Sequence, residues 1–165
     1  MSSIVLLSED VISKISAGEV IERPASIVKE LIENSIDAQA NSIIIDIENT
    51  GKRKIKITDN GDGMNKEDAI LCIEKHATSK IKDITDLNKI STLGFRGEAL
   101  ASISVVSDFE IITKNSKSNF GTSVKVNFGK HKSISESGSD KGTTVIVKDL
   151  FFNIPARFKF LKSAS

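Results

Sequence analysis

The order of two periodicities along this chain constrains its fold more than any other feature. Helical spacing of apolar residues dominates the first part, and short alternating runs dominate from Phe109 onwards. Ser8, followed by Glu9-Asp10 and then Val11, Ile12 and Ile15, reads as a capped helix. The hydroxyl can accept a free N–H, the acids face the positive end of the helix dipole, and Gly18 is expected to end the helix. A second helix opens at Pro24, where a missing N–H costs nothing, and runs to about Ala38. Ser42 to Glu48 and Lys54 to Thr58, separated by Asn49-Thr50-Gly51, predict a β-hairpin. Asn65 with Glu67-Asp68 starts a third helix, and a short one is expected from Glu98 to about Ser104. Strands follow near Phe109 to Lys114, Thr122 to Phe128 and Thr143 to Asp149, with Ser133 to Lys141 read as a mobile hairpin tip and a last helix after Pro155. Helices gathered early and strands later predict an α+β two-layer sandwich, with helices packed on one face of a mixed, largely antiparallel sheet.

Composition narrows the function classes. A chain of 165 residues with 39% hydrophobic and 27% charged residues fits one compact domain. A single cysteine, Cys72, excludes an internal disulfide and reads as a small core residue, and with only His76 and His131 a Cys/His zinc site is not expected. A net charge of +1 excludes a surface coated uniformly for nucleic acid. Charge is mildly polarised, with 14 acids and 11 bases in residues 1–82 against 8 and 12 in residues 83–165. No stretch reaches the ~20 apolar residues of a membrane span, and the N-terminus lacks a basic export signal, so the chain reads as intracellular. Arg157, Lys159 and Lys162 read as a solvated face of the last helix, with a DNA-facing surface as the alternative.

The helix opening at Pro24 carries the chemistry. At about 100° per residue its apolar stripe runs through Ile27, Val28, Leu31, Ile32 and Ser35, while Glu30, Asn34 and Asp37 cluster on one flank. Together with Asp59 these form an oxygen-rich set suited to Mg²⁺ shared with substrate phosphates, Asn34 being a neutral ligand and Glu30 a base able to take a proton from water. The plain alternative is a solvated helix edge. Two glycine segments, Asp59-Asn60-Gly61-Asp62-Gly63 and Gly94-Phe95-Arg96-Gly97-Glu98, suit close approach to a ligand, and the second adds a helix start and an arginine for an anion. Neither a P-loop nor a Rossmann fingerprint is present.

These residues resemble a known family. The runs Ala17-Gly18-Glu19-Val20-Ile21-Glu22-Arg23-Pro24-Ala25-Ser26 and Lys29-Glu30-Leu31-Ile32-Glu33-Asn34-Ser35-Ile36-Asp37-Ala38 resemble the start of MutL-type DNA mismatch repair proteins. Asp59 to Met64, His76-Ala77-Thr78-Ser79-Lys80, Gly94 to Leu100, Gly142-Thr143-Thr144 and Asn153 to Arg157 follow in the family's order. The Glu-x-x-x-Asn, Asp-x-Gly-x-Gly and Gly-Thr elements are shared with gyrase B, heat-shock chaperones and sensor histidine kinases, which have the Bergerat ATP-binding fold.

The resemblance implies an N-terminal ATP-binding domain over residues 1–165, incomplete at its C-terminal end. It implies ATP and Mg²⁺ as cofactors, with Glu30 as general base and Asn34 on the metal beside Asp37. Asp59 would take the adenine amino group, Gly61, Gly63 and Met64 would lie along the base, and Thr143 would support the Asp59 end. Gly94, Phe95, Arg96 and Gly97 would face the phosphates, and Thr78, Ser79 and Lys80 would belong to a lid that orders on ATP. Implied partners are a second copy or a MutL-type heterodimer partner, a MutS-type mismatch recognition protein and weakly, non-specifically held DNA, without a membrane; the location would be cytoplasmic in a bacterium or nuclear in a eukaryote. A non-catalytic nucleotide- or DNA-binding module and another Bergerat-fold ATPase are the alternatives. Gln39 stands where the family usually has Gly, Ser16 replaces a usual Ala, and Ile154 a usual Thr or Val. A lysine that the family supplies to the γ-phosphate from a second domain lies outside these residues, so binding with poor hydrolysis is expected of them alone.

Overall fold

The computed structural model describes residues 3–74 and 99–163. Helices α1 (Glu9–Val20) and α2 (Pro24–Asp37) precede a hairpin of β1 (Ile43–Glu48) and β2 (Lys54–Asp59), and α3 (Lys66–Leu71) follows. After α4 (Ala99–Val105) come β3 (Asp108–Lys114), β4 (Gly121–Asn127), β5 (Lys130–Ser137), β6 (Gly142–Lys148) and α5 (Pro155–Ser163). The expected α+β architecture stands, and the expected mixed sheet is antiparallel at every described pairing, in the order β1-β2-β6-β3-β4-β5.

Local chemistry explains most boundaries. The Ser8 hydroxyl accepts from Val11 N–H at 3.3 Å, and the Asn65 side chain accepts from Asp68 N–H at 2.8 Å, so α1 and α3 start at their capping residues. Helix α2 ends in a Schellman arrangement: Ala40 N–H donates to Ser35 O at 3.1 Å and Gln39 N–H to Ile36 O at 3.0 Å. Gln39 sits at φ 63°, the left-handed position where glycine is usual, so the side chain is held there at a cost of up to ~1 kcal/mol.

Three expectations are corrected. Gly18 does not end α1, which continues to Val20. Its lack of a side chain serves packing, since a Cβ there would lie 3.2 Å from the Arg157 guanidinium. Arg157 is likewise no freely solvated residue: it donates to Gly18 O at 2.6 Å and to Glu22 O at 3.4 Å, and lies 5.8 Å from the Phe151 ring centre. It thereby ties α5 to the turn between α1 and α2. Residues 133–137, expected in a mobile tip, belong to edge strand β5, where Ile134 pairs with Val124. The two-residue loop before it is Phe128-Gly129, both at positive φ (49° and 78°). An aromatic residue occupies the place where Asn or Gly would have announced the turn.

Register decides what the sheet's helical face presents. Ile57, Val145, Ile111 and Val124 stand side by side across β2, β6, β3 and β4, and Ile55, Val147, Phe109 and Val126 form the next row. All eight are buried with Ile27, Leu31, Ile103 and Val106 from the helices and their ends. Each fully buried side chain of this size contributes roughly 1.5–3 kcal/mol. The opposite face carries Lys56, Ile146, Glu110 and Lys125 in one row, and none of these is fully buried.

Candidate functional site

One step along the strands from the row of Ile57, Val145, Ile111 and Val124, the same face becomes polar. Asp59, Thr143, Thr113 and Thr122 stand abreast at the ends of their strands. Asp59 closes β2, and its carboxylate is held by three fixed donors. Oδ1 accepts from Gly61 N–H at 2.9 Å and from Thr143 N–H at 3.2 Å, and Oδ2 accepts from the Ser35 hydroxyl at 2.7 Å. A carboxylate offers about four acceptor positions, so three occupied ones leave one for an incoming N–H. Beside it, the Thr113 and Thr143 hydroxyls are 2.8 Å apart, and Thr113 Oγ1 also accepts from Met64 N–H at 2.9 Å.

The loop after Asp59 is shaped by its glycines. A Cβ on Gly61 would lie 2.6 Å from the Ala38 carbonyl, which Asp62 N–H reaches at 2.8 Å. Gly63 adopts φ 68°, and a Cβ there would run into the Lys114 carbonyl. Asn60 ties the loop to the start of β1 by accepting at 3.0 Å from both Asn41 and Ser42 N–H groups. Met64 is half-buried against the core. The structure therefore brings Asp59, Gly61, Gly63, Met64 and Thr143 into one constellation.

Helix α2 buries Ile27, Leu31 and Ser35 and leaves Glu30, Asn34 and Asp37 half-buried on the adjoining flank. Ser35 falls on the core stripe, yet its hydroxyl reaches across to Asp59, which sets the position of the flank relative to the carboxylate. Thr78, Ser79, Lys80, Gly94, Phe95, Arg96 and Gly97 lie outside the described residues. Among the described residues no three His, Cys, Asp or Glu side chains gather into a metal cage. Mg²⁺ needs no such cage, because it keeps several waters and is commonly held by one or two protein oxygens together with substrate phosphates. Cys72 is not part of this site: its thiol donates to Ala69 O at 3.1 Å, and burial pushes its pKa from 9.0 up to about 12.

Ser35 and Thr113 were not singled out as site residues from the sequence. The available signals were a serine in the middle of an otherwise apolar helical stripe, and a threonine closing the alternating run Phe109 to Lys114. Neither signal shows its partner, which is set by the packing of α2 on the sheet for Ser35 and by register across strands for Thr113.

Comparison with known proteins gives the setting. Residues 22–147 match the family described as histidine kinase-, DNA gyrase B-, and HSP90-like ATPase. The DNA mismatch repair protein MutL of Caldanaerobacter subterraneus subsp. tengcongensis is 56% identical over 165 residues, covering 100% of this chain and 28% of that protein. The MutL of Thermotoga maritima is 52% identical over 159 residues, covering 96% of this chain and 31% of the relative. The chain thus spans somewhat over a quarter of the length of these relatives. Among solved structures, the N-terminal domain of a DNA repair protein superposes with a TM-score of 0.76 at 36% identity, covering 92% of this chain and 43% of the other. The Aquifex aeolicus MutL ATPase domain complexed with ADP gives 0.65 at 36% identity, covering 86% of this chain and 48% of the other.

Proposed function

This chain belongs to the histidine kinase-, DNA gyrase B- and HSP90-like ATPases, in their MutL mismatch repair branch, and on that premise we propose that it binds and hydrolyses Mg-ATP to switch a mismatch repair assembly. The observation that carries the reading is the carboxylate of Asp59, with three of its acceptor positions filled by rigid donors and one open. Such a group recognises a single amino donor, as adenine presents, and the ADP held by the Aquifex aeolicus domain supports the assignment.

In this reading Gly61, Gly63 and Met64 line the base, and Thr143 completes its polar edge. Gly94, Phe95, Arg96 and Gly97 receive the phosphates through backbone N–H groups and a guanidinium. Asn34 holds Mg²⁺ beside Asp37, and the metal, when bound, offsets phosphate charge. Glu30 takes the proton of the attacking water. Thr78, Ser79 and Lys80 order over the nucleotide as a lid. Exposed Ile4, Val5, Leu6, Leu7, Val11, Ile12 and Ile15 form an apolar stretch at the N-terminal end that supports pairing with a second copy or a MutL-type partner. A MutS-type protein and DNA, held weakly, are the further partners. The 165 residues by themselves bind Mg-ATP and turn it over slowly, because the lysine that meets the γ-phosphate comes from elsewhere in the family's proteins.

Nucleotide titration with and without Mg²⁺, followed by phosphate release, tests the reading. Glu30→Ala should keep ATP binding and lose hydrolysis by roughly 10²- to 10⁴-fold, whereas Asn34→Ala should weaken Mg-ATP binding itself. Equal affinities in the two variants contradict the role assignments. Fast multi-turnover hydrolysis by the 165-residue chain, lost in Glu30→Ala, shows that the outside lysine is dispensable. Binding without phosphate release under any condition would make the chain a nucleotide-binding module.

A further inference from the structure

The run Asn153-Ile154-Pro155-Ala156-Arg157 takes no part in the site described above, yet its two polar side chains each reach a helix end. Asn153 Nδ2 donates to Val105 O at 3.0 Å, and the neighbouring Phe151 N–H donates to Val106 O at 2.8 Å, so the run is fixed to the end of α4. Phe151 is itself fully buried. From that fixed base Arg157 reaches the turn between α1 and α2, with Nη2 2.6 Å from Gly18 O and Nη1 3.4 Å from Glu22 O. Gly18 O lies in the last turn of α1, where carbonyls have no further helical N–H to accept, and a cation there also meets the negative end of the helix dipole. Glu22 stands just before the first turn of α2, which opens at Pro24.

Helix α2 is therefore held at both ends. Its C-terminal end is tied to the sheet and to the loop after β2, through the Ser35 hydroxyl on Asp59 Oδ2 at 2.7 Å and Asp62 N–H on Ala38 O at 2.8 Å. Its N-terminal end is tied through the Arg157 fork, and Glu30 lies between the two ties. We infer that Arg157 is a positioning residue for hydrolysis: by holding the turn between α1 and α2 it sets where the N-terminal half of α2, and Glu30 with it, stands. This rests on the ATP reading above and deepens it. A general base must stay within hydrogen-bond reach of the attacking water, and a misplacement of about 1 Å can cost on the order of 10²-fold in rate. Nucleotide binding at the Asp59 end depends on the other tie. A lysine in place of Arg157 keeps the charge but has no planar fork to span two carbonyls.

Single-turnover phosphate release, with the chain in excess over Mg-ATP, and ATP titration of the wild type, Arg157→Lys and Gly18→Ala provide the test. Gly18→Ala keeps the arginine but puts a Cβ 3.2 Å from its Nη2, so the guanidinium must shift. Alanine is also the better helix former, so the melting temperature of this variant should equal or exceed that of the wild type. Arg157→Lys should slow phosphate release by about 10- to 100-fold with ATP affinity unchanged, and Gly18→Ala should slow it by about 3- to 10-fold without loss of stability. The double variant should be no slower than Arg157→Lys alone, since both changes act on one contact. A role confined to stability predicts undiminished release in Gly18→Ala. Undiminished release in either variant, or equal losses of ATP affinity and release, overturns the inference while the ATP reading stands. Should Arg157→Lys fail to fold, Gly18→Ala decides alone. A wild-type chain that binds ATP and releases no phosphate in a single turnover overturns the hydrolysis reading and this inference together.

Discussion

Two rows of side chains lie on the same face of the same four strands, two residues apart: Ile57, Val145, Ile111 and Val124 in one, Asp59, Thr143, Thr113 and Thr122 in the other. Burial does not separate them at their centre, since Ile111 and Thr113 are each 1% exposed. Hydrogen bonding does. A buried hydroxyl without a partner costs on the order of 1–3 kcal/mol, and Thr113 avoids that cost by touching three polar atoms. The first row needs only volume and shape to stabilise the sheet. The second needs matched donors and acceptors, and three of them meet at the carboxylate of Asp59. A single pleat repeat thus converts the core into the site.

Changing the apolar row should have the largest effect on stability. Ile111→Ala is expected to lower unfolding free energy by about 2–5 kcal/mol in urea titrations, with nucleotide preference unchanged in the molecules that remain folded. A shift in preference would show that the two rows are not separable. Next comes Asp59→Asn, which turns one acceptor oxygen into an amide donor facing either Ser35 or the fixed N–H groups of Gly61 and Thr143. ATP affinity should fall by about 10- to 100-fold, and the preference over GTP should be lost; an unchanged preference would sink the adenine assignment.

Two smaller changes lie outside both rows and sharpen the contrast. Gln39→Gly relieves a left-handed backbone position just beyond α2 and should raise stability by up to ~1 kcal/mol without altering nucleotide affinity. Cys72 should have the least effect. With its thiol pKa pushed up from 9.0 to about 12, the folded state holds the proton more tightly than the unfolded state. Its contribution to stability is therefore complete below pH 9 and is lost as pH rises from there to about 12. Alkylation by iodoacetamide at pH 8 should be negligible in the native chain and rapid in denaturant.

Readability from sequence follows the same division. The flank of Glu30, Asn34 and Asp37 and the turn Asp59 to Gly63 were legible because helical spacing and turn chemistry are local. The hairpin of β1 and β2 and the sandwich architecture were legible for the same reason. Ser35 and Thr113 were not, because a hydroxyl's partner is decided by residues 24 and 49 positions distant. Gly18 was misread as a helix stop because the side chain that fills its space, Arg157, is 139 residues away. Strand β5 was hidden by Phe128 in a left-handed turn position that propensity rules assign to Asn or Gly.

The place of β6 in the sheet has a consequence for how the chain comes off the ribosome. β1 with β2, and β3 with β4 and β5, are local hairpins that can pair as soon as each is made, but among the described residues they meet through β6, which is made after all five. Thr143 donates to Asp59 across 84 positions, an interval of roughly 4–17 s at a translation rate of about 5–20 residues per second. Over that interval the inner edge of β2 stays unpaired, and from the completion of β5 at Ser137 until Gly142 the nascent molecule carries two half-sheets whose inner edges, β2 and β3, are open to one another or to a neighbouring chain. Pairing along β6 closes both edges and completes the row of Asp59, Thr143, Thr113 and Thr122 at the same moment, so a chain interrupted before Gly142 lacks that row altogether rather than carrying a weakened one.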